Sequence, residues 1–299
     1  MSWAIKVPAS TSNLGAGFDS IGLALNLYLE LTVTASDQWE FVPLSKSLEG
    51  IPTGKNNLVY EIASQVAEQF GYSEMPPCQV EMTSNIPLAR GLGSSATAII
   101  AGIELANEIL QLNLDKEQKL EIATAIEGHP DNVAPSLMGG CVIGHYDTEL
   151  NWLKLPVEGV TFVAIVPSFE LKTTEARAVL PEQMEYKKSV HASSIANVSV
   201  AAICSQNWDL LGEMMKKDLF HQPYRKSLIP HYDELAAYLE GKVHGLFLSG
   251  AGPTMIAMVN PDRLYDKLEE WQQDYPQMEW LPLKVENEGA VSQKLNVMP

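Results

Sequence analysis

The stretch Pro87-Leu88-Ala89-Arg90-Gly91-Leu92-Gly93-Ser94-Ser95-Ala96-Thr97 constrains this chain more than any other. Two glycines and two serines stand directly before a run rich in Ala and Ile, residues 95–112, which reads as a helix buried on most faces. Glycine lets the backbone turn through positive φ and approach a ligand with no Cβ in the way. A helix start adds unpaired N–H groups and the positive end of the dipole. Together these make an anion site, and phosphate is the usual anion. No Gly-Lys-[Ser/Thr] follows the glycines and no strand-linked G-x-G-x-x-G is present, so neither a Walker loop nor a dinucleotide fingerprint is at hand. The plain structural alternative is a helix capped by Ser94, with the glycines in the preceding turn.

Charge decides how such a site can work. Against 20 Lys+Arg the 299 residues carry 37 Asp+Glu, a net charge of −17. A surface of that sign repels nucleic acid and anionic membrane, and no basic run overrides it. A polyphosphate must then be held locally, by backbone N–H groups, a helix dipole, a divalent cation and a few placed arginines. The chain is long enough for one large or two modest domains, and 46% apolar residues fit a folded globular protein. Cys78, Cys141 and Cys204 lack metal spacing and read as reduced thiols. Met1-Ser2-Trp3-Ala4-Ile5-Lys6 lacks the build of a signal peptide, and Glu104 and Glu108 interrupt the most apolar helix. A soluble cytoplasmic protein is expected.

Periodicity gives a strand at 4–7 ending at Pro8, then a Ser/Thr/Asn/Gly-rich loop and an alternating strand at 27–35. A helix at 57–70 stops at Gly71, and a strand at 79–83 feeds the glycine loop. Asp115 with Gln118 forms a capping-box pattern opening a helix that ends near Gly128. A strand at 141–145 follows, and 150–160 reads as a crossover. The second half shows strands at 161–166, 244–249, 254–259 and 278–285. Its helices fall at 192–205, 208–217, 232–240 and 261–274, and residues 286–299 read as a loose polar tail. Strands and helices do not alternate strictly, which predicts two α+β domains, 1–157 and 158–299.

Three further clusters carry chemistry. They are Pro8-Ala9-Ser10-Thr11-Ser12-Asn13-Leu14-Gly15-Ala16-Gly17-Phe18-Asp19, Glu127-Gly128-His129-Pro130-Asp131-Asn132-Val133-Ala134-Pro135, and Leu248-Ser249-Gly250-Ala251-Gly252-Pro253-Thr254. Each alone is an ordinary loop, turn or hairpin. In this order, with P-x-x-R-G-L-G-S-S-A at 87–96, they resemble the GHMP family of small-molecule kinases. T-T-E-A-R at 173–177 and H-Q-P-Y-R at 221–225 are similar to the branch that phosphorylates L-homoserine.

The resemblance implies an N-terminal ribosomal-S5-like domain that binds ATP and a C-terminal ferredoxin-like domain, with the site between them. It implies transfer of the ATP γ-phosphoryl group to L-homoserine in threonine biosynthesis, with Mg²⁺, and leaves room for a homodimer. Alternatives are another small alcohol as acceptor, or a ligand sensor on the same scaffold. In this reading residues 87–97 hold the nucleotide phosphates, and Asn56 and Asn57 lie at the adenine pocket. Asn13 and Asp19 face the acceptor's ammonium; Arg177, Arg225 and Thr173 face its carboxylate. Charge logic supports that division, since a zwitterion needs both a carboxylate and a cationic fork. Ser95 and Glu127 meet Mg²⁺, with Glu121 as the other candidate acid. For the hydroxyl proton, Asp131, Asn132 and His129 are the candidate catalytic residues. If Asn132 stands where relatives carry an aspartate, direct attack without a base is the alternative.

Overall fold

The computed structural model describes residues 2–295. Its elements in chain order begin with β1 (Ser2–Asn13), β2 (Gly17–Ala35), β3 (Glu40–Pro43), α1 (Leu58–Gln69), β4 (Cys78–Ser84), α2 (Ser94–Leu110), α3 (Lys116–Glu127) and α4 (Pro130–Met138). A hairpin, β5 (Cys141–Tyr146) and β6 (Leu150–Leu155), leads to β7 (Thr161–Val166), α5 (Thr173–Ala178), α6 (Tyr186–Cys204), α7 (Trp208–Met215), α8 (Gln222–Arg225) and α9 (Tyr232–Leu239). β8 (Gly245–Leu248), β9 (Met255–Val259), α10 (Pro261–Asp274), β10 (Glu279–Leu283) and β11 (Val291–Lys294) complete the fold. The class is α+β, as the pattern predicts.

Two sheets organise these elements. The first has seven strands in the order β11-β1-β2-β4-β3, with β5 and β6 attached through β2. β2 is the fork: Leu29 to Ala35 pair with β4, whereas Ile21 to Leu23 pair with β5. The second sheet is antiparallel, ordered β10-β7-β9-β8. β7 is buried throughout and its alternation serves two cores. Phe162, Ala164 and Val166 join the large core shared with the first sheet and α2. Val163 and Ile165 join a smaller one with Leu235 and Leu239 of α9 and Trp271 of α10.

Several local expectations are corrected by tertiary contacts. β1 runs past Pro8 to Asn13, because its ladder with β2 resumes after a register shift at Pro8 and the hydroxyls of Ser10, Thr11 and Ser12 find partners inside the protein. Residues 150–155 form a strand paired with β5 rather than a crossover. Pro130 stands in the first turn of α4, where the missing N–H costs nothing, so the third motif opens a helix. Residues 291–294, read as part of a loose tail, pair with β1 in the register Trp3↔Lys294 to Lys6↔Val291. Tyr28 Oη donates to the Glu286 carboxylate at 2.5 Å, fixing the approach to that strand. The end of the tail, 296–299, lies outside the described residues.

Candidate active site

Residues 85–93 link β4 to α2, and Gly93 caps that helix with φ 69° while Gly91 has φ 80°. A Cβ on Gly93 would lie 2.3 Å from Ser10 Oγ, and one on Gly91 2.3 Å from the Ser249 carbonyl oxygen. Both glycines are thus required twice, by left-handed backbone and by the strands pressed against the loop. Ser94, Ser95 and Ala96 open the helix onto a polar cavity of about 660 Å³. Thr97 N–H already donates to the Gly93 carbonyl and its hydroxyl to the Ser94 carbonyl, so three residues present unpaired amides. The Ser94 and Ser95 hydroxyls make no hydrogen bond among the described residues.

Other parts of the loop face elsewhere. Leu92 is buried, Leu88 and Ala89 wall an apolar cavity, and Pro87 lines an outer groove. Arg90 turns away from the polar cavity: Nε donates to the Pro167 carbonyl, Nη2 to that of Ser168, and Nη1 to that of Leu88. It ties the loop to the segment between β7 and α5, where Glu170 is 3.4 Å away.

The apolar cavity, about 1230 Å³, includes Leu48, Ile51, Leu58, Met82, Ile86 and Leu171. It shares Ala89, Ser94, Ser95, Leu171 and Thr173 with the polar one, so the two are continuous. A flat aromatic base fits the first and its phosphates the second. Asn57 lines the apolar side, but its side chain caps α1, accepting from Val59 N–H and donating to the Pro52 carbonyl. Asn56 is exposed and lines neither cavity.

On the far side of the polar cavity β1, β2, α4, α5 and α8 converge. Asn13 has φ 75°; its Oδ1 accepts from Asp19 N–H and its Nδ2 donates to the Gly250 carbonyl. Arg177 of α5 grips Asp19 with both Nη atoms, at 2.9 and 3.2 Å, and reaches His129 Nε2 at 2.8 Å. The other ring nitrogen of His129 bonds to Asp131, which is 2% exposed. That geometry suits a neutral ring with its proton on Nδ1. Thr173 lies one turn before Arg177. Arg225 is 2% exposed, donating from Nε to the Ala176 carbonyl and from Nη1 to that of Gly250, while Nη2 makes no bond to a described residue. Asn132 is held between Ser10 and Ser12: its Oδ1 accepts from Ser10 and its Nδ2 donates to Ser12.

The electrostatics match a site prepared for mixed charge. Burial pulls the His129 ring down, but Asp131, Asp19 and Glu127 outweigh it and hold its pKa above the ordinary value. Burial, then the charge of Arg177, pushes Arg225 down to about 10. Glu127, at the end of α3, faces the cavity; burial raises its carboxyl, and no described residue hydrogen-bonds it. Glu121 is exposed and lines a separate surface cavity, because six residues turn it to another face of α3. Asp19, His129 and Asp131 offer donor atoms within 4.8 Å of one another, and the Arg177 guanidinium supplies their cation.

Ser12, Leu171 and Ala251 also line the cavity, and Phe18 and His221 pack behind it, yet sequence reasoning gave none of them a role. Phe18 and His221 stand inside the motifs, where an unusual aromatic beside charged positions was a usable signal. Leu171 had none.

An open helix N-terminus between an apolar slot and a doubly charged polar pocket defines a protein that binds a nucleotide beside a small polar partner. Family models described as GHMP kinases N terminal domain and GHMP kinases C terminal match residues 57–140 and 199–277. The chain belongs to the GHMP kinase family. It is 50% identical to a homoserine kinase of Halalkalibacterium halodurans over 288 residues, 95% of this chain and 93% of the relative. With a homoserine kinase of Bacillus pumilus it shares 47% over 294 residues, 97% and 94% of the two chains. A solved homoserine kinase of Cytophaga hutchinsonii superposes with a TM-score of 0.84 at 27% identity, covering 98% of this chain and 97% of that one. A mevalonate kinase structure, 17% identical with a TM-score of 0.70, shares the fold over 95% of this chain and 99% of that one.

Proposed function

We propose that this protein transfers the γ-phosphoryl group of ATP to the side-chain hydroxyl of L-homoserine, giving O-phospho-L-homoserine. The observation that carries the reading is the Asp19–Arg177 pair standing beside buried Arg225, at the mouth of the helix that receives phosphate. Asp19 and Arg177 neutralise each other in this structure, and a zwitterion is also neutral. Acceptor binding is therefore an exchange without net charge: the ammonium takes Asp19, and the carboxylate takes Arg177 with the unbonded Nη2 of Arg225. Mevalonate would leave Asp19 without a cation, and a sugar would leave both arginines without an anion.

Phosphoryl transfer asks mainly for positioning and for charge to be neutralised. The amides of residues 94–96 and the α2 dipole receive the phosphates. Ser95 and Glu127 would hold Mg²⁺: a hydroxyl and an unpartnered carboxylate are the hard oxygen donors that ion prefers. When bound, the ion would neutralise charge on the phosphate oxygens. Asn132 orients the acceptor hydroxyl and cannot take its proton, so the proton leaves on a γ-phosphate oxygen as the new O–P bond forms and the bond from the γ-phosphorus to the β,γ-bridging oxygen breaks, releasing ADP. His129 holds Arg177 in place rather than acting as the base, since Nε2 is already engaged.

A coupled assay for ADP release across L-homoserine, mevalonate and galactose tests the reading. L-Homoserine should give the highest kcat/KM. Turnover of another acceptor with none of L-homoserine above background ATP hydrolysis would overturn it, and tight binding without turnover would favour a sensor.

A further inference from the structure

Phe18 separates Gly17 from Asp19 at the start of β2. Its ring lies 5.2 Å from the Arg225 guanidinium carbon and 5.7 Å from that of Arg177, measured to the centroid. The same ring stacks on His221 at 5.4 Å and 19°. His221 is fully buried, donates from Nε2 to the Gly15 carbonyl, and is kept neutral by burial. One phenyl group thus sits under two guanidinium groups and is braced from behind by a neutral ring.

Two like charges in one pocket repel, and one of them is desolvated. Asp19 offsets Arg177 here, but in the proposed function that carboxylate turns to the acceptor's ammonium. Arg225 bonds to the Ala176 and Gly250 carbonyls and, from Nη1 at 3.4 Å, to Nδ1 of the neutral His221 ring, while Asp218 accepts from the backbone N–H groups of Phe220, His221 and Gln222. A further carboxylate would cure the repulsion but would occupy the place of the acceptor's own anion. An aromatic face attracts cations through its quadrupole without being an anion.

Resting on the proposed acceptor, we infer that Phe18 is a specificity-determining residue: its ring holds Arg177 and Arg225 together as a pair that has no bonded carboxylate once Asp19 turns to the ammonium, which selects acceptors that bring one. An aliphatic residue of similar bulk fills the space without that attraction, whereas tyrosine retains it.

The test compares wild type, Phe18→Leu and Phe18→Tyr on L-homoserine and on 3-aminopropan-1-ol, the same alcohol and ammonium without the carboxylate, taken as substrate or as competitor. Phe18→Leu should lower kcat/KM for L-homoserine about tenfold, chiefly through KM, as expected for one or two desolvated cation–π contacts. Its effect on 3-aminopropan-1-ol and on the KM for ATP should stay within about twofold, and Phe18→Tyr should remain near wild type. Equal losses on both acceptors, or no loss on L-homoserine, would overturn the inference. If wild type itself fails to prefer L-homoserine over the amino alcohol, the proposed acceptor falls instead.

Discussion

Replacing Lys119 with methionine probes how the two helices of the phosphate side are held together. Lys119 Nζ on α3 lies 2.9 and 3.0 Å from the carboxylate oxygens of Glu104 on α2. The side chains are 11% and 4% exposed. Methionine keeps most of the stem, so the main loss is the cation. Breaking a buried pair from one side costs about 3–5 kcal/mol. Proton uptake sets a second bound. An ordinary glutamate ionises near pH 4.3, so keeping one neutral at pH 7 costs about 3.7 kcal/mol, at about 1.36 kcal/mol per pH unit. The cheaper route governs, which gives a loss of about 3–3.7 kcal/mol at pH 7 and only about 1 kcal/mol at pH 5. The sign follows because the variant's folded state retains a proton that the unfolded chain releases, so the penalty grows as pH rises. Urea unfolding at both pH values checks this, followed by circular dichroism and tryptophan fluorescence, whose transitions must coincide. The double change Glu104→Leu, Lys119→Met should return to within about 1 kcal/mol of wild type. A Lys119→Met penalty below about 1 kcal/mol at pH 7, or one equal at both pH values, would refute the reasoning.

Glu127→Gln should raise the Mg²⁺ concentration giving half-maximal rate by about tenfold or more while leaving the KM for L-homoserine within about twofold; an unchanged Mg²⁺ dependence removes the residue from the metal site. His129 works neutral, with Nε2 accepting from Arg177, and that form prevails above its raised pKa. kcat/KM for L-homoserine should therefore fall as pH drops through a value above the ordinary histidine pKa of about 6.5. His129→Gln should flatten that limb, and a limb that persists unchanged assigns it to another group.

Elements whose start and stop signals are local were legible from residues alone. The capping box of Asp115 with Gln118 forms as read, and Gly128 ends α3 in the left-handed conformation. Elements that depend on distant partners were not. Ser10, Thr11 and Ser12 look like loop residues, but pairing with Ala24, Leu23 and Gly22 of β2 makes them strand, and Asn132, Ser136 and Ser249 give their hydroxyls partners. The cluster at 127–135 taken alone could be a turn, yet Pro130 suits the first turn of a helix. In the site, the family resemblance grouped Asp19, Arg177 and Arg225, and the three line one cavity. It could not say that Arg90, charged and set within a phosphate loop, spends its guanidinium on backbone carbonyls. Direction of a side chain is a tertiary fact, and a motif does not encode it.

The pairing of β11 with β1 also sets a timetable. Trp3 waits for Lys294, and a loop spanning nearly the whole described chain must close before that edge is covered. The entropy of so long a closure grows only slowly with length, but contacts this remote are slow to form. Until then β1 is bonded on one side to β2 and bare on the other, a template for any strand that meets it. During synthesis that flank stays open until residues 291–294 have emerged. What covers it is a strand of four residues that line neither cavity.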